Sequence, residues 1–317
     1  MDGAAWRSDP DAVRDALEAN RIVYFPVCPI PLPDAATLEF LRREMPSRLK
    51  LKNISYHPET GRVSGIEADD ATLARVTGVL RSHLDDVSAF LRRVTGDLTV
   101  GARVGTCSFR PIEEKGRNLK PHASNELVHV DAGAYGATDG DRILRFFVNL
   151  NPDRDRVWAT KGSFDEILER YGIRAGLLDD AGRLRVSITK GAGDRVISAL
   201  IAGLARVNPL ATVLDTSPYD RAMRRLHNFM KDDPGFRADP TGYRQIRFPP
   251  LSAWMVFTDG VSHASLEGRF ALVTTLIVRR AQMRFPERAP FQALLARAAG
   301  SSASGHLPPV HHPPTSA

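Results

Sequence analysis

The sequence predicts an α+β fold: a double-stranded β-helix, or jelly roll, with an N-terminal helical lead-in and helical inserts. Three observations predict it. About the first hundred residues are mainly helical by periodicity, short strands with turn signals begin at Leu98, and helices separate those strands into two groups. Two groups of short strands are typical of an antiparallel double-sheet barrel, in which early strands face late strands.

The lead-in, residues 1–97, is predicted from helix caps and apolar periodicity. Ser8, Asp34 and Asp70 each stand at the start of a helix, and the helix from Asp70 carries apolar residues at every third or fourth position. Residues 46–69 are expected to be irregular. The predicted elements are a helix over 8–20, a strand over 22–25, a helix over 34–45 and a helix over 70–94.

The jelly-roll core, residues 98–285, is predicted from apolar strands that end at turn signals. Predicted strands cover 98–110, the run around His129, 142–151, 156–160, 243–248, 253–257 and 270–278. Predicted helices cover 163–171, 194–206 and 218–231. No linker divides the chain into independent domains. The C-terminal segment, residues 286–317, ends in a tail from Gly300 that is rich in Ser, Pro and His and that we expect to be mostly disordered.

The composition excludes several classes of protein. The chain is 43% apolar and 25% charged, as in ordinary globular proteins. Cys28 and Cys107 are the only cysteines, which excludes a disulfide framework and fits a reducing compartment. The formal charge of +6 suits an anionic partner, although no run of Lys and Arg resembles a nucleic-acid-binding arm. No signal peptide or long apolar stretch is present, so we expect a cytoplasmic protein that contacts membranes only peripherally.

The chain is organised around the sequence LVHVDAG at residues 127–133. In a strand, His129 and Asp131 project to the same face, which supplies two thirds of a 2-His-1-carboxylate triad for non-haem Fe(II). The pair alone is weak evidence, because the composition gives about one His-x-acid pair by chance. A rival pair, His57 and Glu59, lies in a polar stretch that is expected to be a surface loop. His129 instead stands between valines, although it could also be a structural histidine.

The third ligand has to come from a distant strand, and His263 is the best candidate. It follows the buried-type strand 253–257 and a Thr-Asp-Gly turn, and it precedes the strand 270–278. The alternative is a turn residue whose partner is Asp259. Three other histidines are weaker candidates, being on helices or in a loop: His83, His122 and His227.

Such a triad leaves three positions of iron open, two for the 2-oxo acid end of 2-oxoglutarate and one for O2. Asp131 favours hydroxylation, because iron halogenases of this class have a small residue there that leaves room for chloride. The far carboxylate of 2-oxoglutarate needs a buried cation, for which a bidentate Arg is the usual solution. Arg145 is the first candidate, because apolar residues flank it in a strand. Arg110, at a strand end, and Arg269, after His263, are the others, and each of the three could instead form a structural ion pair.

Five segments in this order resemble the Kdo hydroxylases: LVHVDAG, RILRFFVNLNP, RVWAT, SPYDRAMRRLHNFMK and AWMVFTDGVSHA. This bacterial family of Fe(II)/2-oxoglutarate dioxygenases hydroxylates C3 of 3-deoxy-D-manno-oct-2-ulosonic acid (Kdo) on lipopolysaccharide, with release of succinate and CO2. The similarity covers roughly residues 98–280, and the lead-in more loosely. It implies as iron ligands His129, Asp131 and His263.

The same resemblance favours Arg145 and Arg110 over Arg269 for the carboxylates of 2-oxoglutarate. One departure is Gly133, where the family tends to have an aromatic residue, and this departure bears on the shape of the substrate entrance. Because Kdo carries a carboxylate and lipid A carries phosphates, we expect a basic patch at the mouth of the site. The candidates for it lie near the iron strand and on the late helix: Lys115, Arg117, Lys120, Arg142, Arg221, Arg224 and Arg225.

The predicted partners are therefore a Kdo-containing lipopolysaccharide precursor (Kdo-lipid A) and, peripherally, the anionic surface of the inner membrane, with no nucleic acid. Two alternatives stay open. The first is a 2-oxoglutarate oxygenase that acts on another small sugar acid or metabolite. The second is a non-catalytic jelly-roll binding protein in which the histidines and the aspartate are structural.

Overall fold

The computed structural model describes residues 10–116, 121–133, 136–206 and 214–298. Within these ranges the helices are α1 (Pro10–Glu18), α2 (Ala35–Arg43), α3 (Met45–Arg48), α4 (Asp70–Thr95), α5 (Phe164–Tyr171), α6 (Ala192–Ala205), α7 (Pro218–Asp232), α8 (Pro234–Ala238) and α9 (Pro290–Ala298). The strands are β1 (Val23–Phe25), β2 (Ile54–His57), β3 (Arg62–Ser64), β4 (Arg103–Arg110), β5 (Arg142–Asn149), β6 (Arg156–Thr160), β7 (Arg244–Phe248), β8 (Ala253–Phe257), β9 (Ala264–Glu267) and β10 (Ala271–Val278). This mixture of helices and antiparallel strands confirms the predicted α+β class.

Two antiparallel sheets form the core of the fold. The main sheet has the strand order β1-β8-β5-β10-β4-β2-β3, and the minor sheet has the order β7-β6-β9. Aromatic rings from both sheets pack between them. Trp254 of the main sheet stacks on Phe248 of the minor sheet with a centroid distance of 3.8 Å, and Trp158 meets Phe147 edge-on at 4.8 Å. The predicted jelly roll is therefore confirmed.

Helices of the lead-in cover the other face of the main sheet. The longest, α4, begins where the Asp69 side chain accepts a hydrogen bond from the backbone N–H of Thr72 at 2.8 Å. Its Phe90 ring lies 5.4 Å from Phe25 of β1 and 5.7 Å from Phe146 of β5, which joins helix and sheet in one apolar cluster. Because β1, β2 and β3 also belong to this sheet, the lead-in supplies strands as well as helices.

A second helical layer packs against the central motif. The capping box of Ser217 and Asp220 starts α7, whose Leu226 and Met230 are buried in a cluster with residues of α5 and α9. The same cluster contains Val130. The helical inserts therefore support the run that carries the predicted ligands.

Some local predictions are wrong. Residues 46–69 contain β2 and β3, a hairpin that extends the main sheet by pairing β2 with β4, and these strands are too short for their alternation to be visible in the sequence. The run around His129 is not a strand but a single antiparallel bridge to His263. The four-residue β9 follows directly after that bridge and is absent from the prediction. The Ser8 cap and the tail from Gly300 lie outside the described residues.

None of the described helices is both long enough and apolar enough to cross a membrane.

Candidate active site

The three predicted iron ligands lie together in the interior of the protein. Their ligand atoms are all within 4.8 Å of one another, and all three residues are buried. Backbone hydrogen bonds create this arrangement, because His129 N donates to His263 O at 3.0 Å and His263 N donates to His129 O at 2.8 Å. The N–H of Asp131 donates to the carbonyl of Thr258 at 2.8 Å. Two distant parts of the chain are thus joined at the ligands themselves.

Both histidines are oriented by their own backbone. Nδ1 of His129 donates to the carbonyl of Leu127 at 2.7 Å, and Nδ1 of His263 donates to the carbonyl of Val261 at 3.0 Å. With the proton on Nδ1, the lone pair of each Nε2 is directed away from these carbonyls. This is the arrangement that metal-binding histidines use, in which the second nitrogen fixes the tautomer and the ring orientation.

The charge states also suit a divalent metal ion. Burial lowers the pKa of both His129 and His263 below the usual value for histidine, so both rings are neutral at pH 7. Burial opposes ionisation of Asp131, but the Arg145 guanidinium outweighs it and holds the pKa of Asp131 well below its usual value. The donor set is therefore two neutral imidazoles and one carboxylate.

One oxygen of Asp131 provides a further test of fit. Oδ2 is buried and has no hydrogen-bond partner among the described residues, although Arg145 Nη2 lies 2.9 Å away in an ion pair. The other oxygen, Oδ1, lies 3.8 Å from His129 Nε2. A buried, ionised carboxylate whose Oδ1 lies beside the nitrogen lone pair of a neutral imidazole, with a second such imidazole close by, fits a metal ion, so the residues present are suited to Fe(II).

Two of the three predicted arginines reach the same cavity as the histidines. Arg145 of β5 and Arg110 of β4 line it together with the two histidines. Arg145 Nε is buried without a hydrogen-bond partner among the described residues, and Arg110 lies 4.0 Å from Glu114. Arg269 is exposed, and its guanidinium lies over the Phe270 ring at 4.8 Å. The structure therefore brings Arg145 and Arg110 to the site and not Arg269.

Sequence reasoning missed two residues of β6 near the cavity. Trp158 lines the cavity and stacks on the His263 ring with a centroid distance of 5.2 Å. Arg156 is 1% exposed, donates to Gly268 O at 3.0 Å and to Ser265 Oγ at 2.7 Å, and burial lowers its pKa to about 10. The sequence could have indicated Arg156, because this arginine belongs to an apolar strand, which is the reason why Arg145 was selected.

Two lysines outside the predicted patch also lie close to the site. Lys231 of α7 is 2% exposed and donates to His122 O at 3.0 Å, while burial lowers its pKa to about 8 against the opposing attraction of Asp131. Lys52 donates to Ala123 O at 2.6 Å and to Oδ1 of Asn125, a cavity-lining residue, at 2.7 Å. Burial lowers the pKa of Lys52 to about 8 as well.

His227 also lies next to the site. Its Nδ1 donates to Val130 O at 2.8 Å, and its ring meets the His129 ring edge-on at 4.9 Å. Because His227 and Lys231 are four residues apart on α7, they lie on one face of the helix, the face that approaches the site.

The other histidines of the described ranges lie away from the site. His57 is at the end of β2, where its Nε2 lies 2.9 Å from Ser64 Oγ, and it is therefore not in the loop that the sequence predicts. His83 is buried in α4, and His122 lies 2.6 Å from Asp232 at the surface.

The predicted basic patch is only partly present. Arg142 is fully buried and forms an ion pair with Asp259 at 2.6 Å, so it cannot belong to a surface patch. Lys115 pairs with Glu267 at 3.2 Å, and Arg221 pairs with Asp194 at 2.9 Å. Arg117 and Lys120 lie outside the described residues.

Comparison with known proteins decides the family. Residues 4–302 match the sequence model of the family described as 3-deoxy-D-manno-oct-2-ulosonic acid (Kdo) hydroxylase. The chain belongs to this family. A search of curated proteins finds no significant match.

Solved structures of the Kdo hydroxylase KdoO, a non-heme Fe(II) alphaketoglutarate dependent dioxygenase, are similar to this chain. The apo structure is 28% identical with a TM-score of 0.75 and covers 93% of this chain and 91% of that chain, and the complex with alphaketoglutarate and Fe(III) has the same values. The complex with cobalt(II) is 28% identical with a TM-score of 0.76 and covers 97% of this chain and 98% of that chain.

The family match and these similarities confirm the predicted enzyme class, an Fe(II)/2-oxoglutarate-dependent dioxygenase. KdoO is also known in complex with succinate and Fe(III), so the predicted Fe(II) and 2-oxoglutarate agree with the ligands of the relatives. This enzyme class leaves no support for the alternative of a non-catalytic binding protein.

The departure at Gly133 has a local explanation. A Cβ at this position would lie 3.1 Å from Asp220 Oδ1. Asp220 is itself fixed, because it accepts hydrogen bonds from the N–H and the hydroxyl of Thr138 and from its own capping partner, Ser217. An aromatic side chain at position 133 would have to displace this carboxylate. The absence of a side chain at Gly133 therefore leaves room for the buried Asp220.

Proposed function

We propose that this protein hydroxylates C3 of Kdo in the inner core of lipopolysaccharide, using Kdo-lipid A as acceptor, and that His129, Asp131 and His263 are its iron ligands. The observation that carries the proposal is the buried triad, in which one nitrogen of each histidine and one carboxylate oxygen come within 4.8 Å of one another. In the balanced reaction, the acceptor C–H, O2 and 2-oxoglutarate become the acceptor C–OH, succinate and CO2.

The chemistry that bound iron supplies is the activation of O2 for insertion into a C–H bond. The residues of this chain hold and orient the reactants. Leu127 O and Val261 O hold the two imidazoles as Nε2 ligands through their Nδ1 protons. The Arg145 guanidinium lowers the pKa of Asp131, which favours the ionised carboxylate that a metal ligand requires.

Arg145 and Arg110 are proposed to bind the carboxylates of 2-oxoglutarate. Both guanidinium groups line the cavity of the two histidines, and a guanidinium stays charged when it is buried and matches the geometry of a carboxylate. Phe147 and Trp158 line the same cavity, so bulk water is largely excluded there and each charged contact is strengthened. Arg156, close to Arg110 and held by Ser265, adds positive potential to the same side.

The charge near the site favours an anionic acceptor. Lys52, Lys231, Arg110, Arg145 and Arg156 are near the cavity, and the acidic groups beside them are Glu113, Glu114, Asp131 and Asp232. With a divalent metal ion bound, these groups would carry more positive charge than the four carboxylates and a dianionic cosubstrate balance. The carboxylate of Kdo would compensate it, which is why we prefer a sugar acid to a neutral sugar.

The acceptor can be tested directly. Purified enzyme with Fe(II), ascorbate and 2-oxoglutarate would receive Kdo-lipid A in mixed micelles and, separately, free Kdo, and each product would be examined by mass spectrometry for a gain of one oxygen. We expect oxidation of the glycolipid with matching succinate, little action on free Kdo, and a rate that falls as salt rises through physiological strength. Oxidation of free Kdo alone, insensitive to salt, would favour the small-metabolite alternative.

A lipid-linked acceptor also implies a place of action. We propose that the protein works at the cytoplasmic face of the inner membrane, in peripheral contact with its anionic surface. Retention on anionic vesicles, lost at high salt, is the expected behaviour.

A further inference from the structure

The backbone of the HxD motif is held on one side by the segment that carries His263. The N–H and the C=O of His129 both bond to His263, and the N–H of Asp131 donates to Thr258 O at 2.8 Å. In a trans peptide unit the N–H and the C=O point in opposite directions. The carbonyl of Val130, which shares its peptide unit with the N–H of Asp131, therefore points away from Thr258. This carbonyl has to find its partner on the other side of the motif.

Helix α7 provides that partner through one side chain. Val130 has no exposed surface, and no backbone N–H among the described residues donates to its carbonyl. Nδ1 of His227 donates to this carbonyl at 2.8 Å. Because a carbonyl only accepts hydrogen bonds, the proton of His227 has to be on Nδ1. His227 thus takes the place that a neighbouring strand would occupy, and it satisfies an acceptor whose burial without a donor would be costly.

The peptide unit between Val130 and Asp131 is consequently held at both of its polar ends. Because the unit is planar, its C=O and its N–H rotate together. Any rotation would break the hydrogen bond to His227 and the hydrogen bond to Thr258 at the same time. The backbone direction at Asp131, and with it the placement of the carboxylate relative to His129, depends on both contacts.

Packing keeps His227 in position. Its neighbours on α7, Leu226 and Met230, are buried in the same apolar cluster as the Val130 side chain. The His227 ring meets the His129 ring edge-on with a centroid distance of 4.9 Å and an interplanar angle of 74°. The helix therefore delivers the Nδ1–H to the motif from a fixed position.

We propose that His227 is a positioning residue for the metal centre, which holds the Val130 carbonyl and thereby fixes His129 and Asp131 relative to each other. This inference rests on the proposed function, in which those two residues are metal ligands. Groups that orient metal ligands without binding the metal typically contribute a factor of about 10–100 to metal affinity. His227 would do so through the backbone between two ligands.

Cobalt(II) titration of the metal-free full-length chain, followed by visible absorption, tests this inference. Leucine and asparagine have the same branched shape, but only asparagine has an N–H at the position of Nδ1. His227→Leu should therefore weaken cobalt(II) binding by about 10–100-fold, whereas His227→Asn should keep most of the native affinity. His227→Phe keeps an aromatic ring against His129 but lacks the donor, so it should lose affinity as His227→Leu does. Arg224→Gln, at an exposed position of α7, is the control and should bind as the native protein does.

Three results would overturn the inference. The first is native cobalt(II) affinity in His227→Leu. The second is an equal loss in the Leu and Asn variants, because the ring or Nε2, and not the Nδ1 donor, would then be responsible. The third is a lower thermal stability of metal-free His227→Leu with unchanged cobalt(II) affinity, which would mean that His227 only stabilises the fold. Cobalt(II) binding that survives in His129→Ala would instead contradict the proposed ligand set, so the two failures can be distinguished.

Discussion

The two faces of strand β5 differ in chemistry. On one face Leu144, Phe146 and Val148 have no exposed surface and pack with the helices of the lead-in. On the other face Arg145 lines the cavity of the candidate iron site, next to Phe147. Because successive side chains of a strand point to opposite faces, one short element serves both stability and chemistry. We therefore expect substitutions on the first face to unfold the protein and substitutions on the second to change binding or turnover.

The largest effect is expected at the ligands. Replacing His129, Asp131 or His263 by Ala should abolish 2-oxoglutarate turnover and leave the protein folded, because each residue is proposed to supply one of the three metal ligands. Succinate formation measures turnover, and the loss of thermal stabilisation by cobalt(II) measures metal binding independently. His57→Ala is the matched control, since this histidine lies on the β2–β3 hairpin and should change neither. Near-normal turnover in one of the three variants would remove that residue from the ligand set.

Phe146→Ala tests the stabilising face of β5. The ring packs against both Phe25 and Phe90, so its removal leaves a cavity in the main cluster and should lower the free energy of unfolding by about 3–5 kcal/mol. A shift of the urea midpoint measures the loss. At a temperature at which the variant is folded, its affinity for 2-oxoglutarate should equal the native value. A stable variant with weakened cosubstrate binding would contradict the division between the two faces.

Arg145→Lys tests the functional face. Lysine keeps the charge but lacks the planar guanidinium group that can donate two parallel hydrogen bonds to a carboxylate. The binding free energy for 2-oxoglutarate should therefore weaken by about 2–5 kcal/mol, which lowers the apparent affinity at least ~30-fold. Titration of the cosubstrate against the initial rate measures it, and Arg269→Lys, at an exposed position, is the control. If the dependence of the initial rate on 2-oxoglutarate concentration is unchanged in Arg145→Lys, we would assign binding of the carboxylate to Arg110.

A buried histidine of the lead-in, His83, gives a prediction for the dependence of stability on pH. His83 lies in α4 with Nε2 unbonded among the described residues, and burial lowers its pKa to about 4 from a usual value near 6.5. Between these pH values the unfolded chain binds a proton that the folded chain does not, so stability is full above pH 6.5 and falls as the pH drops towards 4. The expected loss is about 3 kcal/mol. In His83→Leu the loss of stability over this pH range should be smaller by that amount, whereas an unchanged pH dependence would mean that His83 is not the titrating group.

The sequence was sufficient to predict helices that have a long apolar periodicity or a clear capping residue. Examples are α4, whose apolar residues recur over seven turns, and α7, which begins at a Ser-Pro pair. It also selected the three residues that the structure brings together, because an HxD pair and a late histidine are local signals. It failed where backbone pairing sets the structure, as at the His129–His263 bridge, which needs two distant segments. It also failed at Lys231, because nothing in a helical sequence says which of its cations will be buried.

The smallest expected effect concerns Lys231, which belongs to neither face of β5 but approaches the same site from α7. If its ammonium attracts the carboxylate of the acceptor, Lys231→Met should raise KM for Kdo-lipid A by about tenfold, or 1.4 kcal/mol, and leave KM for 2-oxoglutarate and kcat nearly unchanged. Lys231→Arg should restore most of the affinity. The competing explanation is that Lys231 only holds the backbone of His122 in place through its 3.0 Å hydrogen bond. In that case Lys231→Met would lower stability and weaken cosubstrate and acceptor alike, and the carboxylate of Kdo would have to be bound by Lys52 or Arg110 instead.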